Sequence, residues 1–288
     1  MPKELGQLAR PYLNKEKIIY EPQRRNTGPA ICLGAMVIIK KYGDGILHII
    51  PADHLIQSEK KFINCLRFGE RLAEKGLIIT YGIKPTRPET GYGYIKLGKK
   101  IYQQAGLIAF RAQKFTEKPQ TSKARKYLRS GRYLWNSGIF TFRASDIVAE
   151  IKKYVPEVYN GVGRYLTKKA KKYYGRVPNI SIDYAVMEKS NRIAIARADF
   201  QWDDVGSWLA LERYFKKDRM DNIIKGDAKG LEIYNTIMYN DYTIPLRVYG
   251  VQDLIIVAGQ KGILVCNKRY APDLKKLLFP GVKKRKGG

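Results

Sequence analysis

Gly45-Ile46-Leu47-His48-Ile49-Ile50-Pro51-Ala52-Asp53-His54 decides how the chain is read. Ile46 to Ile50 is a short apolar run, long enough for a buried parallel strand and too short for a helix. Pro51 has no N–H for a ladder and ends the strand. Asp53 and His54 then fall in the turn at the strand's carboxyl end, where open α/β sheets place their ligands. An acidic side chain there suits a magnesium ion that also holds phosphate oxygens, and it suits a plain N-cap as well.

Upstream, Arg24-Arg25-Asn26-Thr27-Gly28-Pro29-Ala30 reads as a basic turn and a capped helix start. Thr27 or Gly28 would cap, and Pro29 suits the first helical turn. The free amides of that helix start could face an anion or a base edge. Ile18–Tyr20 gives a brief strand signal, and residues 1–17 read as a partial helix and turn.

Downstream, Ser58–Lys75 has helical spacing and stops at Gly76, and Leu77–Gly82 is the next strand. Its exit, from Lys84 to Tyr94, is rich in Pro and Gly and can approach a ligand closely. It is neither a dinucleotide fingerprint nor a Walker loop. Tyr94–Phe115 reads as a hairpin projecting from the sheet, and Thr121–Ser130 as a helix. Trp135-Asn136-Ser137-Gly138 reads as a tight polar turn feeding a strand. Ser145–Tyr154 and Val162–Tyr173 are amphipathic, and Ser181-Ile182-Asp183-Tyr184 opens another helix. Arg192–Phe200 is a strand that leads into a second carboxylate turn, Trp202-Asp203-Asp204-Val205-Gly206-Ser207-Trp208. From about Asn222 the texture is short strands and turns, closed by a helix at Asp273–Leu278, with no internal repeat.

The 288 residues carry 54 Lys+Arg against 26 Asp+Glu, a formal charge of +28. That balance favours an anionic partner: nucleic acid, a membrane surface or phosphorylated small molecules. The positive charges are spread along the chain, and only Lys283–Lys286 form a dense run. Three scattered Cys without pair spacing indicate neither a zinc site nor a disulfide framework, and two His in total exclude a histidine-rich metal site. Neither a signal peptide nor a membrane-length apolar run is present, so a soluble cytoplasmic protein is expected.

Taken in order, several stretches form one pattern. They are Glu21-Pro22 with Arg25–Ala30, Pro51–His54, Pro85–Ile95, Phe115-Thr116-Glu117-Lys118-Pro119, Trp135–Phe140 and Trp202–Trp208. The series resembles the mannose-1-phosphate guanylyltransferase family, the GDP-mannose pyrophosphorylases, from about Ile18 to the C-terminus. The resemblance implies an α/β Rossmann-like nucleotidyltransferase sheet over residues 1–220 and a small C-terminal β extension over 221–288. It implies GTP and mannose 1-phosphate as substrates, and a Mg²⁺ held jointly by Asp53 and Asp204. Arg25, Asn26, Thr27 and Gly28 would lie near the guanine. Glu89, Thr90, Gly91, Glu117 and Asn136 would line the mannose pocket, with Lys118 a catalytic phosphate contact.

One departure stands against these matches. The family opens with a strand and a Gly-rich loop, Gly-Gly-x-Gly-x-Arg-x-x-Pro-Leu-Ser, and no such stretch occurs before Glu21. An N-terminally truncated sheet is therefore expected, with little activity unless an N-terminal partner polypeptide restores the strand and loop; a homo-oligomer is the other partner considered. Two other functions compete: a non-catalytic sugar-nucleotide binder, as a subunit of a split enzyme or alone, and a basic RNA-binding protein. The RNA reading is disfavoured because aromatic residues are not clustered with Lys and Arg.

Overall fold

The structure is a computed structural model and describes residues 18–278. The expected helix in residues 1–17 and the basic run Lys283–Lys286 lie outside the described residues. The chain divides into two compact units between Asp203 and Asp204.

The N-terminal unit is an α/β layered fold on a mixed six-stranded sheet. Its strands are β1 (Ile46–Ile49), β3 (Ile78–Ile83), β4 (Tyr94–Gln104), β5 (Leu107–Thr116), β6 (Tyr133–Arg143) and β7 (Ile193–Arg197), in the order β1-β6-β3-β7-β5-β4. β3 and β7 run parallel, while β6 is antiparallel to β1, β3 and β4. One face carries α1 (Thr27–Tyr42), α4 (Ala144–Tyr154) and α5 (Pro156–Lys168). Ile31, Leu33, Ile147, Ile151 and Val158 pack there on Ile78, Phe140, Phe142 and Ile195. The other face carries α2 (Glu59–Ala73), whose Cys65, Phe68 and Leu72 cover Ile79, Tyr81 and Ile139.

Strong local signals appear in place. α2 is followed by Gly76 at φ 79°, and the β4–β5 hairpin turns through Ala105 and Gly106, both at positive φ. α3 spans Thr121–Ser130, as the helical spacing predicts. α1 begins where the capped start was expected, but the cap is Asn26 rather than Thr27 or Gly28: the Asn26 side chain accepts the Thr27 N–H at 2.9 Å, and Thr27 and Gly28 are already helical.

Several expectations are corrected. β1 is a half-buried edge strand paired antiparallel with β6, not a buried parallel one, since among the described residues nothing pairs with its other side. Trp135–Phe140 is no turn: it is the interior of β6, with Gly138 at φ 70° and a register shift against β3. The hairpin does not stand off the sheet, because β5 pairs with β7 and β4 with β6. The stretch Val162–Tyr173 is two helices, α5 and α6 (Lys171–Gly175), broken where Lys169 turns to φ 53°. Ile18–Tyr20 forms no strand.

Burial makes two of the three thiols inert. Cys32 and Cys65 are fully enclosed, and burial pushes the Cys32 thiol up to about 12. Cys266 is half-buried. One thiol of three should react with an aromatic disulfide reagent in the native state and all three after denaturation; rapid labelling of Cys32 would contradict this packing.

The C-terminal unit winds as a short stack of parallel strands. β9 (Ile223–Lys225), β11 (Ile237–Asn240) and β13 (Leu254–Gly259) stack on one side, and β10 (Ala228–Tyr234) and β12 (Leu246–Gln252) on another. Ala228 pairs with Leu246 and Ile237 with Ile255, each eighteen positions on. β14 (Gly262–Asn267) closes the stack antiparallel to β13. A short 3-10 turn and the helix α7 (Lys275–Leu278) follow.

Asn240 holds one corner of this stack. Its Nδ2 donates to the carbonyls of Asp227 and Ile244 at 2.8 and 3.0 Å, and its Oδ1 accepts the Tyr242 N–H at 3.1 Å. Asn240→Ala leaves the Ile244 carbonyl and the Tyr242 N–H without a partner at a residue that is 6% exposed, while the Asp227 carbonyl keeps the Leu246 N–H at 3.0 Å. The expected loss is about 2 kcal/mol, from roughly one to three for each of the two stranded groups less what water recovers at the exposed Tyr242 and Ile244. A calorimetric melt in which the variant matches the parent would overturn that role.

Candidate functional site

The interior of β6 is polar where a sheet centre is normally apolar. Asn136 Oδ1 accepts the Thr80 hydroxyl at 2.7 Å and the Gly138 N–H at 3.3 Å, and Nδ2 donates to Asp183 Oδ1 at 3.1 Å. The amide can point only one way, because the Gly138 N–H needs an acceptor and a carboxylate needs a donor. The Asn136 N–H also donates to the Gly93 carbonyl at 2.8 Å.

Glu117, at the end of β5, converges on the same place. A Cβ built on Gly93 would lie 2.5 Å from Glu117 Oε2 and 3.3 Å from Asn136 Cβ. Glu117 is 12% exposed at its side chain, with Lys118 Nζ at 3.4 Å. Its N–H donates to Glu188 Oε1 at 3.3 Å. Burial, and then the neighbouring Asp183 carboxylate, raise Glu117 above the usual carboxylate range against the pull of Lys118. Burial likewise raises Asp183, opposed by its own backbone hydrogen bond, Lys118 and Asn136. An apolar cavity of about 470 Å³ reaches this cluster, lined by Thr27, Ile31, Leu47, Ile49, Phe140 and Asp183 among others.

The loop between β3 and β4 folds on itself. Glu89 Oε2 accepts Arg87 Nε at 3.1 Å, and Glu89 Oε1 accepts the Gly91 N–H at 3.0 Å. The Arg87 guanidinium lies 5.1 Å from the Trp135 ring centre, a cation–π distance. Thr90 and Gly91 are exposed.

Arg25, Asn26, Thr27 and Gly28 fasten the far side of the cluster. Arg25 Nη2 donates to the Gly175 carbonyl, and Asn26 caps α1. Thr27 Oγ1 accepts the Ile182 N–H at 2.9 Å, and the Gly28 N–H donates to the Ile180 carbonyl at 3.1 Å. A Cβ at position 28 would sit 2.8 Å from that carbonyl oxygen, so the close approach requires Gly. The segment thereby holds the chain entering a π-helical turn, Asp183–Met187, that presents Asp183.

Asp53 is exposed in the turn between β1 and β2 (Leu55–Gln57). The next residue, His54, accepts the Trp202 indole N–H at Nδ1 at 3.0 Å. β2 pairs with β8 (Gln201–Asp203), Leu55 opposite Asp203, and Asp203 is buried. Asp204 opens the C-terminal unit, and its Oδ1 accepts the Gly206 N–H at 3.2 Å. Among the described residues no group of three or more His, Cys, Asp or Glu could hold a metal. A magnesium ion that takes most ligands from phosphates and water asks for only one or two carboxylates, so exposed Asp53 is chemically suited.

Glu117 and Asn136 are thus brought together, with Lys118 at the rim. Asp183, Thr80 and Glu188 join them without having been singled out as site residues. Ser181-Ile182-Asp183-Tyr184 was visible as a motif, and a helix opening was the plainer reading of it.

The nucleotidyl transferase family profile matches residues 4–220. The chain is 37% identical over 272 residues to the mannose-1-phosphate guanylyltransferase of Salmonella montevideo, covering 91% of this chain and 57% of that protein. It is 34% identical to the alginate biosynthesis protein AlgA of Pseudomonas aeruginosa, covering 93% and 57%. The chain therefore spans a little over half the length of these curated relatives. A solved structure from Thermus thermophilus, described as a mannose-1-phosphate geranyltransferase, superposes with a TM-score of 0.83 at 32% identity. That match covers 96% of this chain and 82% of the other. A family match over most of the chain and a shared fold agree, and the chain belongs to the nucleotidyl transferase family.

Proposed function

We propose that this chain forms the sugar-binding body of a mannose-1-phosphate guanylyltransferase, making GDP-mannose and pyrophosphate from GTP and mannose 1-phosphate. The observation that carries the reading is the polar cluster of Glu117, Asn136 and Asp183 set into the sheet beside a cavity. Largely buried carboxylates and an oriented amide are hydroxyl-recognising groups, as a hexose requires. The names of the relatives supply the substrate class.

In this reading an oxygen of the sugar phosphate attacks the α-phosphorus of GTP and pyrophosphate leaves, so no side-chain nucleophile is needed. Glu117 and Asn136 would orient the hexose, with Glu89, Thr90 and Gly91 closing over it. Lys118, an exposed cation beside Glu117, would meet the sugar phosphate. Asp53 and Asp204 are the carboxylates proposed to bind Mg²⁺, which when bound would neutralise the phosphates that must meet. Near the guanine, the backbone of Arg25–Gly28 and the exposed Asn26 are the available contacts, because Arg25 and Thr27 are engaged with residues 175–182. A cytoplasmic location accompanies nucleotide substrates, and among the described residues no helix is long and apolar enough to cross a membrane.

The triphosphate contact is proposed to come from a further polypeptide segment, since these 288 residues contain no Gly-rich phosphate loop. The edge of β1, unpaired among the described residues, suits an extended strand added to the sheet. A second reading, a sugar-nucleotide binder without turnover, rests on the same polar cluster of Glu117, Asn136 and Asp183.

The test is pyrophosphate release from GTP, Mg²⁺ and mannose 1-phosphate. The chain is assayed alone and with a polypeptide carrying an apolar strand and a Gly-rich loop. Turnover that requires the added segment is expected. Turnover by the chain alone would remove the need for the segment. Silence in both, with GDP-mannose still bound, would replace the enzyme by the binder.

A further inference from the structure

We propose that Asp183 is a specificity-determining residue: it fixes the Asn136 amide and, with it, receives one hexose hydroxyl. The inference rests on the hexose-pocket reading above and assigns a role to a residue outside the pocket set read from the sequence.

Asn136 has four hydrogen-bonding valences. Both lone-pair positions of Oδ1 are taken, by Thr80 and Gly138, and one Nδ2 hydrogen goes to Asp183. One Nδ2 hydrogen is left, beside a carboxylate that lines the cavity. An ionised carboxylate has about four acceptor positions, so the single bond from Asn136 leaves Asp183 capacity for another donor. A donor from Asn136 and an acceptor from Asp183 therefore stand side by side. A hydroxyl satisfies both at once, accepting from one and donating to the other. An ether can only accept, and a missing hydroxyl leaves both groups unpaired.

The position of Asp183 is held by main-chain bonds. The Ile182 N–H donates to Thr27 Oγ1, the Ala185 N–H to the Ser181 carbonyl, and the Gly28 N–H to the Ile180 carbonyl. Asp183 thus projects from a turn clamped to the start of α1, while Asn136 projects from the sheet. The donor–acceptor pair spans two elements whose separation is set by those clamps, so a hydroxyl of the wrong configuration cannot be followed by a small shift. Glu117 and Glu188 are the carboxylates facing the pair and Lys118 the cation. With acceptors in excess, a ligand rich in hydroxyl donors is the one that fits.

The experiment is calorimetric titration of the full chain with mannose 1-phosphate and with its 2-, 3- and 4-deoxy analogues, for the parent and Asp183→Asn. The variant keeps an oxygen for Asn136 Nδ2 and loses the charged acceptor. Mannose 1-phosphate should bind it about tenfold more weakly, the worth of one charge-assisted hydrogen bond. One deoxy analogue should bind the parent at least about tenfold more weakly and lose little more in the variant, because it has already lost the bond to Asp183 that the variant removes. A merely structural role would weaken all ligands alike. Equal affinity of parent and variant, or losses that add for every analogue, overturns the proposal. A parent that binds all the deoxy analogues as tightly as mannose 1-phosphate overturns it without any variant. A parent that binds no mannose 1-phosphate overturns both this inference and the pocket reading beneath it.

Discussion

Asp53→Asn is expected to cut turnover of the segment-complemented enzyme about a thousandfold, since metal neutralisation of reacting phosphates is worth several kcal/mol and each ~1.4 kcal/mol is tenfold. The turn that carries Asp53 is well defined at both ends. Pro51 stops β1, and His54, the residue after Asp53, is held by the Trp202 indole. The side chain itself is exposed, so it is not needed for packing. Asp→Asn at an exposed position changes stability by no more than about 0.5 kcal/mol. A melting temperature equal to the parent's, together with lost pyrophosphate release, is therefore the expected combination. Asp204→Asn should behave in the same way if it is the second carboxylate. Turnover within a few-fold of the parent in either variant would remove that residue from the metal site.

Gly93→Ala is expected to weaken mannose 1-phosphate binding about a hundredfold, while the fold is kept. The added methyl would stand 2.5 Å from Glu117 Oε2 and 3.3 Å from Asn136 Cβ. That is too close for contact, and the cheaper adjustment is rotation of the Glu117 side chain, whose carboxylate is its movable end. Stability should fall by only about 1 kcal/mol, because Gly93 has ordinary backbone angles and Ala adds no strain of its own. Binding has no such escape: Glu117 leaves the place where it converges with Asn136, and two charge-assisted hydrogen bonds are each worth about tenfold. Calorimetry and a thermal melt on the same preparation check both halves. Unchanged binding would mean that Glu117 does not line the hexose site.

The sequence alone specified the elements whose cause is local. A five-residue apolar run ended by Pro made β1, and Gly76 and Gly106 set the ends of α2 and the β4–β5 hairpin. The ordered motifs identified the α/β fold and the family. Glu117 and Asn136 were named through the family resemblance, not by local residue type, which read Asn136 as part of a turn.

What the tertiary structure alone decided depends on partners distant in sequence. Asn136-Ser137-Gly138 favours a turn when water is the only partner, and it becomes sheet interior because Thr80, Gly93 and Asp183 satisfy its polar groups. Arg25–Gly28 looked like a ligand-facing helix start, and most of its hydrogen bonds go to residues 175–182. The stacked register of the C-terminal strands follows from backbone pairing eighteen positions apart, which needs no repeated side chains. Asp183 acquires its surroundings only when the start of α1, β6 and the turn before β7 meet. Periodicity and turn chemistry are written within a few residues of each other, whereas a buried hydrogen bond is specified by both of its ends, and only folding brings those ends together.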